Sequence, residues 1–269
     1  MEQELLEFEE FINHLSKNTK YNYILDIKHF LNWKHKDEEL NEDLLEEYKL
    51  EILNDYAIKT VNRKINALNA YLSFKKMNIH IKSEKIQNQT FIDDMLDNKE
   101  AGRIIDEMRK NRDLRAEALF LGIFYTGARV SEILQLKPRN IEKDEITIKG
   151  KGSKYRKILV PERLTEVLLK YAQKERIDNG TLLFTGQRGN LTRNTVFTNF
   201  KKYAKLAGVN PDKVYPHAIR HLYAKNLGAK GVTYSAIKQL LGHSLSTTDI
   251  YMQLSKRELL EVINSITFD

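Results

Sequence analysis

The chain has 269 residues, 41% hydrophobic and 30% charged, with a formal net charge of +7 and no cysteine. These are the fractions of a soluble globular protein of about one to two domains, and zero cysteines exclude disulfides, thiolate catalysis and cysteine-ligated zinc. No stretch is long and apolar enough to span a bilayer, and the acidic start MEQELLEFEE lacks the features of a signal peptide, so a cytoplasmic protein with no membrane partner is expected.

The charge is segregated. Residues 1–82 carry 12 Lys and Arg against 15 Asp and Glu, whereas the remainder carries 32 against 22. From Tyr56 to Lys82 there is no acid, but there are Lys59, Arg63, Lys64, Lys75, Lys76 and Lys82. This pattern fits a polyanion, nucleic acid being the commonest; the plainer reading is a solvated basic surface.

In chain order, residues 16–36 have helical periodicity, with Ser16 or Asn18 as candidate cap, a stripe of Ile24, Ile27, Phe30 and Leu31, and Lys17, Lys20, Lys28 and Lys34 as basic positions. An acidic helix follows at roughly 41–54 and is expected to face solvent. In 57–77, Val61, Ile65, Leu68 and Leu72 share one helix face. Lys59, Asn62, Arg63, Asn66 and Asn69 share the other, a set able to hydrogen-bond phosphates and base edges in a major groove. Residues 80–100 lose this periodicity and read as a linker, with a new helix starting near Asn98. A helical stretch, 113–125, breaks at Thr126-Gly127 and restarts as ARVSEILQL. Residues 144–161 alternate apolar and polar around Gly150, Gly152 and Ser153, a β-hairpin signature. Helices are expected over about 162–177, 192–207, 216–228, 233–242 and 255–266. The expected fold is mainly α: an N-terminal α-helical bundle (1–82), a linker (83–97), and a mixed, mostly α domain (98–269) with a small antiparallel β-sheet.

Several residues suit phosphate chemistry. Arg129 follows the Thr126-Gly127 break, where a helix N-terminus would add positive potential; its plainer role is an ion pair with Glu132. Lys151 stands at the hairpin tip between two glycines, as a mobile ammonium or an ordinary polar turn. His217 and Arg220 are i and i+3 in a helix opened by Pro216, so imidazole and guanidinium point the same way. His221 is expected off that face, in a structural role. His243 follows Gly242, and Tyr251 closes STTDIY. A zinc site from His217, His221 and His243 competes, but no carboxylate is suitably placed and Arg220 lies in the same turn.

Taken together, YTGARVSEILQL, IKGKGSKYRKILVP, HAIRHLYA and LLGHSLSTTDIYMQ, in this order, resemble the tyrosine recombinase (phage integrase) family, in its Xer-like form. NTKYNYILDIKHFLNW and TVNRKINALNAYLSF look like that family's SAM-like core DNA-binding domain, so the resemblance covers essentially the whole chain. It implies that Arg129, Lys151, His217, Arg220, His243 and Tyr251 are catalytic, with Glu132 as the supporting acid. Lys17, Lys20, Lys59, Asn62, Arg63 and Asn66 are expected at the DNA. The family's usual spacing from this histidine to the tyrosine is nine; here it is eight, though Thr247, Thr248 and Tyr251 keep the TTxxY pattern.

The activity so implied is site-specific recombination of double-stranded DNA through a 3′-phosphotyrosyl intermediate and a Holliday junction, with no metal and no other cofactor. The implied setting is a cytoplasmic, nucleoid-associated tetramer on DNA, its C-terminal helix docking on a neighbour through Leu259, Leu260, Ile263 and Ile266. The alternative for that helix is folding back on its own domain. An accessory protein or partner recombinase is compatible. The chain opens directly on the core-binding domain, leaving no room for a separate arm-binding domain. A type IB topoisomerase with similar chemistry, or a non-catalytic DNA-binding protein, are the rival readings.

Overall fold

The structure is a computed structural model that describes residues 2–34, 38–85, 95–141, 143–150, 155–175, 177, 181–186, 189–242, 260–261 and 263–266. The chain divides into two compact units, Met1–Phe91 and Ile92–Asp269.

Among its described residues the first unit has four helices: α1 (Glu2–Phe11), α2 (Lys17–Trp33), α3 (Glu42–Asp55) and α4 (Ile58–Phe74). Helix α1 falls where only acidic residues stood out. Leu5, Phe8 and Ile12 nevertheless recur at helical spacing, and Phe8 and Ile12 are buried. Ser16 caps α2, its hydroxyl accepting from Thr19 N at 3.2 Å. Helix α3 does show its acids to solvent, but it buries Leu44, Leu45, Tyr48 and Ile52, so it is amphipathic and part of the core. Val61, Ile65, Leu68 and Leu72 of α4 are all buried. Beneath them Lys64 is buried beside Asp26, 3.6 Å from its carboxylate, and Arg63 pairs with the same carboxylate from the more open side. Burial pushes the Asp26 carboxyl up and the Lys64 amine down, each opposed by the partner charges.

The second unit is built around α6 (Leu114–Thr126), in which every residue from Ala116 to Thr126 is buried. A helix without a polar face must be surrounded, and α5 (Asn98–Lys110), α8 (Glu162–Lys174), α9 (Arg193–Leu206) and α10 (Pro216–Ala229) pack against it. A capping box of Asp97 and Glu100 opens α5. The expected hairpin is an antiparallel pair, β1 (Glu145–Lys149) and β2 (Tyr155–Leu159), with Ile148 opposite Arg156 and Ile146 opposite Ile158. A second, two-residue pair not foreseen from the sequence joins β3 (Thr185–Gly186) to β4 (Gly189–Asn190). The short α7 (Val130–Ile133) follows α6, and α11 (Tyr234–Leu241) follows α10.

The described residues of the tail pack on their own unit. Ile263 and Ile266 are each 1% exposed and belong to the core of their own unit, with Leu260 packed against it. Asn264 Oδ1 accepts from the Glu162 backbone N–H at 3.3 Å. This is the second of the two placements expected for the tail. Leu259 lies outside the described residues.

Candidate active site

Helix α6 stops at Gly127, whose φ of +61° is a left-handed C-cap. A Cβ there would lie 2.6 Å from Tyr223 Cε1 and 2.9 Å from Leu241 Cδ2. Only glycine meets both demands. The tight turn delivers Arg129 to the start of α7. That helix has four residues, too few to add an appreciable dipole, so the positive potential expected from a helix N-terminus comes instead from side-chain charge.

Glu132 organises that charge. It is 1% exposed. One oxygen, Oε2, accepts from the Arg129 backbone N–H at 2.7 Å and from Arg156 Nη2 at 2.7 Å. The other, Oε1, accepts from Arg129 Nη1 at 3.0 Å and from Arg156 Nε at 3.2 Å. Burial alone would raise this carboxyl, but the hydrogen bonds from Arg156 and from the Arg129 backbone, with the Arg156 charge, outweigh it and hold the pKa below its ordinary value.

Arg220 completes the cluster. It is 4% exposed; Nη1 donates to the carbonyl of Gly127, and Nη2 to that of Leu241 at 2.8 Å. Burial, then the nearby charges of Arg129 and Arg156, lower its pKa to about 10. It remains charged at neutral pH. Two guanidiniums thus share one buried carboxylate, with the charge of a third nearby, and the excess of positive charge calls for an anion.

A pocket of about 420 Å³ opens on this cluster and is lined by Arg129, His217 and Arg220 together with Arg193, Asn194 and Phe197. Three of the residues expected from the sequence therefore meet in one cavity. His217 is exposed there. His221 is not off its face as expected: it is exposed, with its ring centroid 4.5 Å from that of His217 in an edge-on arrangement. Lys151, His243 and Tyr251 lie outside the described residues. The sequence reading missed Arg193, Asn194 and above all Arg156. The signal for Arg156 was present: it shares a strand face with the buried Ile158 and Val160.

In the first unit, Lys59, Asn62, Arg63 and Asn66 line a depression of about 400 Å³ with Thr19, Asn22 and Tyr23. Lys17 is exposed and Lys20 Nζ donates to Asn13 Oδ1 at 2.8 Å; neither lines the depression. Asn62 is committed elsewhere. Its Oδ1 accepts from Glu84 N at 2.7 Å and its Nδ2 donates to Glu84 O at 2.9 Å. Asn69 makes the same pair of bonds with Ile81, both at 2.9 Å. These two amides clamp the segment after α4.

No helix among the described residues is long and apolar enough to cross a membrane. The sequence model of the phage integrase family matches residues 94–258. The chain is 33% identical over 218 residues to tyrosine recombinase XerA of Pyrococcus furiosus, covering 77% of this chain and 74% of that one. It is 29% identical to tyrosine recombinase XerD of Rickettsia conorii, with 91% of each covered. Among solved structures, the XerH site-specific recombinase in its pre-cleavage complex with the difH substrate superposes with a TM-score of 0.67 at 24% identity, over 91% of this chain and 78% of that one, a likeness of fold. The match over most of the second unit, joined to an arginine–carboxylate cluster built for an anion, places this chain in the phage integrase family, as an Xer-like tyrosine recombinase.

Proposed function

We propose that the pocket between Arg129, His217 and Arg220 binds the scissile phosphate of double-stranded DNA, and that the protein recombines specific sites by cutting and rejoining strands there. The observation that carries this reading is that Arg129, held by the buried Glu132, and Arg220 line one cavity. A phosphodiester carries one negative charge, and more develops on its non-bridging oxygens in the transition state. Each guanidinium has five N–H donors. Donation from Arg220 to two carbonyls fixes its plane, and with Arg129 it lines the pocket in which the non-bridging oxygens would lie. Preorganised charge of this kind is often the largest catalytic contribution.

The Tyr251 hydroxyl attacks phosphorus: a Tyr–O–P bond forms, the P–O5′ bond breaks, and the strand is held as a 3′-phosphotyrosine. A phenol has an ordinary pKa of about 10, so its proton must leave to a base, the role assigned to His217. Lys151 gives a proton to the departing 5′ oxygen, and His243 hydrogen-bonds a non-bridging oxygen. Attack by a partner strand's 5′-OH reverses the step, and two rounds through a Holliday junction exchange two duplexes. Such exchange needs several protomers on DNA. In this reading residues 1–82 are a core-binding domain whose Lys59, Arg63 and Asn66 contact the DNA backbone and grooves, and a catalytic domain begins at residue 98; their common depression supports it.

The test is a nicked duplex carrying a candidate site, chosen from repeats flanking the gene, run on a denaturing gel after incubation with chelator. The expected result is a slow covalent adduct that Tyr251→Phe abolishes while DNA binding persists. Relaxation of supercoiled DNA without sequence preference, or tight binding with no adduct, would overturn the reading.

A further inference from the structure

Arg156 has three polar contacts, and they join parts of the fold that are far apart in sequence. Nε and Nη2 hold both oxygens of Glu132, and Nη1 donates to the carbonyl of Leu240 at 3.1 Å. Glu132 in turn holds Arg129. Leu240 lies in the last turn of α11, and Gly242, the C-cap of that helix with φ of +67°, is the residue just before His243. The fit there is close. A Cβ on Gly242 would stand 2.6 Å from Arg156 Cδ and 3.0 Å from its Nε and Nη1. The Arg156 side chain is 13% exposed, whereas that of Arg129 is 35% exposed. Arg156 is thus recessed behind the anion pocket and does not line it.

We propose that Arg156 is a positioning residue for strand cleavage, a brace that fixes Glu132, and through it Arg129, to the C-terminal end of the helix leading into the segment with His243 and Tyr251. The planar fork of arginine is required. A carboxylate edge and a carbonyl lie on different sides of the side chain, and a guanidinium reaches both at once, whereas a lysine ammonium is a point donor that must choose. The brace also ties β2 to the reacting centre: Arg156 is five residues beyond Lys151 in the hairpin, so hairpin, first arginine and α11 are registered by one side chain. Positioning of this kind acts on rate more than on affinity, because small displacements of transition-state donors cost far more in catalysis than in ground-state binding.

The kinetic part of the proposal rests on the recombinase reading. The experiment therefore has one readout that needs activity and one that does not. R156K keeps the charge and R156M removes it, both in the full chain. Under enzyme excess on the nicked duplex, R156K is expected to cleave about 10- to 100-fold more slowly than wild type, with an unchanged DNA dissociation constant. In the free protein, hydrogen exchange at Leu240 to Gly242 is expected to accelerate in both variants, while α6 and α8 keep their wild-type protection. R156K keeps the positive charge beside Glu132 and tests the brace even where R156M fails to fold. Full cleavage by R156K would overturn the proposal, showing that charge alone suffices. Unchanged exchange at α11 would also overturn it, as would a uniform loss of protection across the unit, which marks a general packing role. If wild type forms no adduct while exchange at α11 responds as described, the recombinase reading fails and the brace stands.

Discussion

Arg220 holds the end of α11 through the carbonyl of Leu241, at 2.8 Å from Nη2. The same guanidinium holds Gly127, the cap of α6. One side chain therefore sets the distance between the helix that ends before Arg129 and the helix that ends before His243. Arg220→Lys keeps a charge but forfeits one or both carbonyls. Adduct formation is expected to fall by about 100- to 1,000-fold, the cost of losing a transition-state donor. Single-turnover cleavage at saturating enzyme checks this; a loss below tenfold would mean that charge alone carries the role.

Glu132→Gln replaces an acceptor on both oxygens with an amide that turns an N–H toward a guanidinium. Breaking a buried pair in this way costs about 3 to 5 kcal/mol, read as a lower denaturation midpoint. The pH dependence has a definite sign. The folded carboxyl lies below its ordinary value of 4.5, so its stabilisation is complete above the unfolded value and is lost as pH falls through the folded one. Wild-type stability should decline below about pH 4.5 more steeply than that of Glu132→Gln. Parallel slopes would contradict the assignment.

Gly127→Ala combines a left-handed φ with a Cβ pressed on Tyr223 and Leu241. The backbone cost is about 1 to 2 kcal/mol and overpacking adds about 1 to 3 kcal/mol. A thermal melt should shift down by several degrees, and cleavage should fall with it, because the Gly127 carbonyl is an anchor of Arg220. A melt equal to wild type would show that the turn relaxes freely.

Asn62→Ala removes two hydrogen bonds from the Glu84 backbone. At about 0.5 to 1.5 kcal/mol each, the segment after α4 should open more readily, seen as faster amide exchange at Glu84 with little change at Ile81, which Asn69 holds independently. DNA affinity should change less than in Lys59→Ala, whose lost phosphate contact lowers the salt dependence by about one unit. A larger affinity loss in Asn62→Ala would restore it as a base-reading residue.

Much of this molecule was legible in the linear order of residues. Apolar spacing marks α2 and α4. Ser16 and Pro216 mark helix starts, and the glycine after Thr126 marks where α6 must stop; each is a local signal, decided within about one helical turn. Helix α1 was obscured because its acidic side chains outnumber the apolar ones, Leu5 and Phe8, that face the core. The acidic α3 concealed an apolar face for the same reason.

By itself, then, the sequence determined the helical periodicities, the hairpin, the order of the candidate catalytic groups and the family they resemble. Tertiary structure alone decided what those groups lean on. Arg156 meets Leu240 across 84 residues and Arg220 meets Gly127 across 93. Ile263 and Ile266 are withdrawn into their own core, and Asn62, which lines the depression, also holds the backbone of Glu84. The physical reason is the same in each case. A hydrogen bond or an apolar contact depends on distance in space, whereas periodicity and capping report only neighbours along the chain. The partner of a polar side chain on a helix, and whether it is buried, are decided only once the chain has folded, as Lys64 and Arg220 show.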